Sequence, residues 1–165
     1  MAATNFMLVV VFLPKCVIML AIECSGGVPP PKKKKGVSNM NNELVIYKCD
    51  MCGEEVEILN GECRSLTCCG QDMREIIANT VDAAVEKHVP SYKVNGDIIE
   101  VVVGEVEHPM DDDHYIEWIA HVYENRICRV NLKPGEKPVA KFAYKPGATL
   151  YAMCNKHGLW KVDVQ

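Results

Sequence analysis

From Met40 onward the apolar residues fall into short runs separated by turn residues, the spacing of β-strands and not the three-to-four repeat of helices. Leu44 to Lys48 predicts a strand that leads into Cys49-Asp50-Met51-Cys52-Gly53. Val56 to Leu59 predicts a second, Asn60-Gly61 reads as a hairpin turn, and Leu66-Thr67 returns toward Cys68-Cys69-Gly70. Farther on, Tyr92 to Val94 and Ile98 to Val103 flank the Asn95-Gly96 turn. Tyr115 to Tyr123, Ile127 to Leu132, Val139 to Tyr144, Leu150 to Met153 and Leu159 to Val164 follow at sandwich-like intervals. The pattern predicts an all-β chain, a small cysteine-bearing domain followed by an immunoglobulin-like β-sandwich of seven strands. Met73 to Glu86 is the one stretch with room for a helix, and the β-branched Thr80, Val81 and Val85 weaken it.

Residues 1–39 break this pattern. Phe6 to Ile22 is apolar except for Pro14 and Lys15, too interrupted for a membrane helix and without the basic start of a signal peptide. Glu23 before Cys24 speaks against a lipoprotein site. Pro29-Pro30-Pro31 and Lys32 to Lys35 then read as a stiff, solvated linker or a membrane-surface patch. A plainer expectation is that the stretch is untranslated and Met40 is the natural start, because the codons for Lys35 to Met40 accommodate a ribosome-binding sequence before an ATG. The expected division is residues 1–39 as an extension, 40–75 as the cysteine domain and 76–165 as the sandwich.

Charge narrows the function. Residues 1–39 hold five lysines against one glutamate, +4, so the total of −4 leaves −8 on residues 40–165. Phosphate binding needs a basic footprint that this body lacks, which excludes nucleic acid as its expected partner. No membrane association is expected of residues 40–165. With 48% hydrophobic and 24% charged residues the chain has the means to bury a core, which excludes a disordered class.

The cysteines number nine, an odd count for a disulfide framework. Cys49-x-x-Cys52 and Cys68-Cys69, brought together by a hairpin, read as a tetrathiolate site in a reducing, cytoplasmic compartment. Spacing does not choose zinc from iron, since both accept tetrahedral sulfur. Cys63 is expected to be a spare thiol, and Cys128, inside a strand, a buried small apolar residue. Near the C-terminus, Cys154 and His157 lie three residues apart in a Gly-flanked turn and could share one metal. His88, His108 and His114 lie in turn-like segments, while His121 falls inside a strand and reads as an ordinary core residue. Two rival classes remain open at this point. One is a copper-binding β-sandwich electron carrier, which would want a methionine soon after the cysteine. The other is a non-enzymatic zinc-knuckle interaction module, which leaves the histidines idle.

Ile46-Tyr47-Lys48-Cys49-x-x-Cys52-Gly53 and Cys68-Cys69-Gly70-Gln71-x-Met73 resemble the desulforedoxin-like domain of desulfoferrodoxins, the two-iron class of superoxide reductases. Glu86-Lys87-His88-Val89-Pro90, His108-Pro109-Met110, His114-Tyr115-Ile116-x-Trp118-Ile119 and Cys154-Asn155-x-His157-Gly158-Leu159-Trp160 match that family's neelaredoxin-like catalytic domain in order. The resemblance covers residues 40–165 and leaves residues 1–39 without a counterpart.

The resemblance implies two iron ions per chain. Cys49, Cys52, Cys68 and Cys69 would hold one. His88, His108, His114 and His157 would surround the other in a plane, with Cys154 axial and the sixth position open to superoxide. It further implies reduction of superoxide to hydrogen peroxide, reduced rubredoxin or a similar small carrier as electron donor, and a homodimer. Glu86 and Lys87 match the residues that in the family cap the ferric iron and attract the anion. A local cation has a physical reason to be there, since a body at −8 repels superoxide. Lys156 and Tyr115 are further residues expected near the site.

Overall fold

The structure, a computed structural model, describes residues 7–13, 16–22, 43–58, 66–124 and 126–165. The predicted Asn60-Gly61 turn and Cys63 lie outside the described residues. Two compact units emerge, one containing Val45–Ile76 and the other Ile77–Gln165 together with Leu44.

In the first unit, β1 (Met7–Leu13) and β2 (Cys16–Ile22) pair as an antiparallel hairpin. Of the apolar stretch, Met7–Leu13 and Cys16–Ile22 are thus strands, and Pro14 and Lys15 lie outside the described residues. The cysteine-bearing part is built on β3 (Ile46–Lys48), flanked by β4 (Glu55–Glu57) and β7 (Arg74–Ile76), with β5 (Thr67–Cys68) and β6 (Gln71–Asp72) as a separate short ladder. Lys48 and Glu55 are paired in register and joined by a 2.9 Å ion pair. Tyr47, Cys49, Leu66, Cys68 and Met73 form the core, so two of the four clustered cysteines are themselves core residues. The segment from Met73 is not helical at its start. Met73 N donates to Leu66 O at 2.6 Å and Arg74–Ile76 pairs along the free edge of β3, so ladder hydrogen bonds and the burial of Ile76 override the local helix propensity.

The second unit begins with α1 (Val85–His88), one turn long, which ends where Val89 turns extended ahead of Pro90. Seven strands follow: β8 (Pro90–Asn95), β9 (Ile98–Val103), β10 (Ile116–Tyr123), β11 (Arg126–Asn131), β12 (Val139–Ala143), β13 (Thr149–Cys154) and β14 (Gly158–Asp163). They form a four-stranded sheet in the order β11-β10-β13-β14 and a three-stranded sheet in the order β12-β9-β8. This is the expected all-β sandwich. Ile99, Val101 and Val103 from one sheet meet Ile116, Ile119, Leu150 and Ala152 from the other in a single core. β13 is buried at every position and is apolar after Thr149, whose hydroxyl donates to Asp163 at 2.8 Å. Cys128 is exposed, contrary to expectation, because β11 is an edge strand and four of its first residues face solvent. Among the described residues no helix is long and apolar enough to cross a membrane.

His108 and His157 lie in the loops that follow β9 and β13, His114 in the loop before β10 and His88 at the end of α1 before β8, whereas His121 lies within β10. The loop after β9 depends on Gly104, whose amide donates to Val89 O at 3.1 Å with φ +83°. A side chain there would run into the Val106 carbonyl and come within 2.7 Å of the Lys87 carbonyl oxygen. We expect Gly104→Ala to lower unfolding stability by roughly 2–3 kcal/mol through combined backbone strain and collision. Denaturant titration checks this, and an unchanged midpoint would contradict so close an approach.

Candidate metal centres

The first centre is made by two knuckles. Gly53, at φ +79°, closes the turn that began at Cys49 by donating to the Cys49 carbonyl at 2.9 Å. Cys69 and Gly70, at φ 52° and 80°, form the opposing turn between β5 and β6. The tight turns aim backbone amides at sulfur. The amides of Cys52 and Met51 lower the Cys49 thiol to about 7 against the opposing effect of burial, the Cys52 amide contributing most. The Cys68 thiol is pushed up by burial and by its three sulfur neighbours. All four sulfurs lie within 4.8 Å of one another, with Cys52 Sγ 3.6 Å and Cys69 Sγ 3.8 Å from Cys68 Sγ. Metal–sulfur bonds of about 2.3 Å in a tetrahedron place the sulfurs about 3.8 Å apart, so the group has the size of a tetrathiolate metal site. Cys49 and Cys68 are buried while Cys52 and Cys69 reach solvent.

The second centre gathers His88, His108, His114, Cys154 and His157, whose ligand atoms also lie within 4.8 Å of one another. The four rings stand in a square. Neighbouring centroids are 4.7 Å apart for His88–His108, His108–His114 and His88–His157, and 4.8 Å for His114–His157. Neighbouring planes are inclined by 77–81°. His88 and His114 face each other across the diagonal at 6.2 Å.

Hydrogen bonds decide which nitrogen faces inward. A carbonyl only accepts, so His88 Nδ1–H donates to Ala84 O at 2.7 Å and His108 Nδ1–H to Pro109 O at 2.6 Å. Each ring is thereby left with a bare Nε2 lone pair. His108 Nε2 is buried and has no hydrogen-bond partner. His157 turns the other way: its Nδ1 lies 2.9 Å from His88 Nε2, 3.1 Å from His114 Nε2 and 3.6 Å from Cys154 Sγ. Metal–nitrogen bonds of about 2.1 Å at right angles separate neighbouring nitrogens by about 3.0 Å, the spacing found here.

Protons do not suit this cluster. Burial pushes His108 down to about 4, and it also lowers His88 and His114, with the facing imidazoles adding to the effect. Burial raises the Cys154 thiol, opposed by the amides of His157 and Lys156 that point at its sulfur. Several lone pairs thus converge on a point where a single proton would leave most of them unsatisfied. A metal cation satisfies them together, and one thiolate among imidazoles is a donor set suited to iron.

The surroundings hold the ligand loops to one another. Asn155 Oδ1 accepts from Tyr115 N at 3.0 Å and Asn155 Nδ2 donates to Asp113 O at 3.0 Å, tying the His114 loop to the Cys154 loop. Lys156 is paired with Asp113 at 2.7 Å and so is not a free cation beside the site. Tyr115 takes part through its backbone. Trp160 Nε1–H donates to the His157 carbonyl at 3.1 Å, and its ring stacks on His88 at 5.0 Å. Glu86 and Lys87 precede His88 on α1 with exposed side chains, and their charges act on His88 in opposite directions. Glu86 O accepts from Glu105 N and Val106 N, which seats this turn against the sandwich. His121 stands apart, buried and stacked on Phe142 at 5.5 Å, as a core residue. Asn155, Asp113 and Trp160 carried no role in the sequence reading. Trp160 stood within a recognised motif, but only coordinates show what an indole touches.

The chain matches the desulfoferrodoxin model over residues 80–163 and the desulfoferrodoxin N-terminal domain model over residues 41–76. It is 48% identical over 125 residues to a desulfoferrodoxin of Clostridium acetobutylicum, covering 76% of this chain and 100% of that relative. It is 33% identical over 100 residues to a superoxide reductase of Pyrococcus abyssi, covering 48% of this chain and 87% of that one. The crystal structure of the superoxide reductase from Treponema pallidum superposes with a TM-score of 0.58 at 31% identity, covering 73% of this chain and 98% of that chain. A tetrathiolate group and a four-histidine, one-cysteine group match the two iron sites of such proteins. With both family models matched in order and a relative covered along its whole length, the chain belongs to the desulfoferrodoxin family.

Proposed function

We propose that the chain is a superoxide reductase, with Cys49, Cys52, Cys68 and Cys69 holding one iron and His88, His108, His114, His157 and Cys154 holding the catalytic iron. The observation that carries this reading is the square of four imidazoles with a buried sulfur against one of them, at the spacing of a metal's neighbouring ligands. Iron bound there supplies the electron by which superoxide, with two protons, becomes hydrogen peroxide. The chain's own residues set the conditions for that step. Amides of Lys156 and His157 face the Cys154 sulfur and favour its thiolate, whose negative charge raises electron density in the centre. The Nδ1–H bonds of His88 and His108 to backbone carbonyls hold both rings in the tautomer that offers Nε2.

Lys87 is assigned the attraction of the superoxide anion, and Glu86 the role of a carboxylate that approaches the oxidised centre. Both lie one or two residues from His88, are exposed and form no ion pair among the described residues. The electron donor is assigned by class as rubredoxin or a similar small one-electron carrier, a reading supported by the solvent-facing Cys52 and Cys69. A homodimer in the cytoplasm completes the proposal. The thiols of Cys49, Cys52, Cys68, Cys69, Cys128 and Cys154 are all free, as a reducing compartment allows. The functional domains are assigned as 40–75 and 76–165, with 1–39 as an extension, a division supported by the family matches over residues 41–76 and 80–163.

The reading is tested by iron content and by peroxide yield. The purified protein should hold two irons per chain and form one peroxide per superoxide consumed, without releasing oxygen. Half that yield with oxygen evolution would make it a dismutase, and one zinc per chain would make it a binding module.

Lys87→Ala should slow the second-order reaction with superoxide roughly threefold to tenfold at low salt and flatten its salt dependence. Pulse-generated superoxide at several ionic strengths measures this, and an unchanged rate removes the steering role. Cys154→Ser should abolish peroxide formation while the tetrathiolate iron and its absorption remain. Retained turnover in that variant would exclude Cys154 from the catalytic centre.

A further inference from the structure

We propose that Trp160 is a positioning residue for the His4Cys centre, fixing the plane of His88 and the inward turn of His157 Nδ1. The inference rests on the reading of this cluster as an iron centre and adds a residue to which the mechanism above gives no part.

The argument begins with the hairpin. β13 and β14 pair as far as Cys154 opposite Gly158, leaving Asn155, Lys156 and His157 as a three-residue loop, with Gly158 at φ +69°. A histidine that binds through Nε2 reaches a metal with the far side of its ring, so its backbone has latitude. One that binds through Nδ1 must bring its main chain close, and the orientation of its peptide then decides where the lone pair points. His157 faces the cluster through Nδ1, whereas His88 and His114 meet it through Nε2. His157 is therefore the ligand most dependent on its own backbone.

Trp160 acts on that backbone. It is buried, and a buried indole N–H needs an acceptor. The acceptor it finds is the carbonyl of His157 at 3.1 Å. The same indole lies against His88 with ring centroids 5.0 Å apart and planes 23° from parallel. The His88 Nδ1–H bond to Ala84 O sets a direction within the ring plane, and the stack sets the plane itself. His88 and His157 are neighbours in the square, with facing nitrogens 2.9 Å apart. One side chain thus sets the relative orientation of two adjacent ligands drawn from opposite ends of the domain sequence.

Trp160→Phe removes the N–H and keeps a ring for stacking, Trp160→Leu removes both, and Trp118→Phe is the matched control. Trp118 is also buried in this sheet, but its face is covered by the Arg129 guanidinium 4.4 Å away. The readouts are loss of iron to a chelator, counted against the tetrathiolate iron of the same chain, and the visible and electron paramagnetic resonance spectra of the oxidised His4Cys centre. Trp160→Phe should speed iron loss about tenfold and alter both spectra, in line with the cost of removing a residue that orients a ligand. Trp160→Leu should do more, while Trp118→Phe matches wild type and circular dichroism confirms folding. Unchanged spectra and iron retention in Trp160→Phe, or an equal change in Trp118→Phe, would overturn the proposal. These readouts need no turnover, so a wild-type protein that binds iron without reducing superoxide would remove the proposed function and leave the role of Trp160 standing.

Discussion

The structure is governed by an electrostatic awkwardness, the gathering of several nitrogen lone pairs and a buried sulfur around one small volume. Imidazoles whose outer N–H groups are already committed to carbonyls have only lone pairs left to present to one another. Such an arrangement repels itself until a cation enters, so the scaffold must hold the rings in place in advance. A two-sheet sandwich is suited to this, because its core fixes strand ends from both sheets while the connecting loops remain free to carry polar groups. The loops are then fastened to one another. Gly104 lets the α1 turn approach the segment that leads to His108, and Asn155 joins the His114 loop to the Cys154 hairpin. The Asp113–Lys156 pair adds little stability of its own at an exposed position, but it spans the same two loops.

The two metal centres solve different problems by different means. The tetrathiolate is built locally, from turns at each end of a short stretch of chain, and its sulfurs are steered by amides that glycine and left-handed turns bring into line. Half of its sulfurs are exposed and half are buried, and all four cysteines fill the positions of a tetrahedral site. The five-ligand centre is assembled from segments far apart in sequence, with His88, His108 and Cys154 buried and His114 and His157 partly open. Burial strengthens each electrostatic interaction there and keeps protons off the rings, the conditions under which one thiolate has most influence on a metal.

These differences explain what could be read from the sequence. Cys49-x-x-Cys52 and Cys68-Cys69 announce themselves because a local site leaves a local spacing. The sandwich was legible because its strands end at Gly, Asn and Pro, and β9 and β12 alternate as a two-faced sheet requires. The exposed Cys128 was not, since an apolar run with a cysteine looks the same on an edge strand as in the centre until the strand order is known. The five-ligand set became visible only through a family likeness, as spacing does not say that residues 88, 108, 114 and 157 meet. Which nitrogen each ring offers, and what Trp160 and Asn155 hold, depend on carbonyls and ring planes that no residue pattern encodes.

Charge supplies the last constraint. Residues 40–165 carry −8, so an anionic substrate approaches against the field of the body that is to receive it. A steering cation has to be near the centre and also uncompensated. Lys156 meets the first condition by its place in the ligand loop and fails the second, because Asp113 neutralises it at 2.7 Å. Lys87 meets both: it adjoins His88, it is exposed, and its charge is felt by that imidazole. Glu86 beside it offsets part of the attraction at long range, so the proposed steering by Lys87 acts at short range, where the nearer of two opposite charges dominates. The roles proposed for Lys87 and Glu86 thus rest on two adjacent, exposed charges of opposite sign on a one-turn helix that ends at His88.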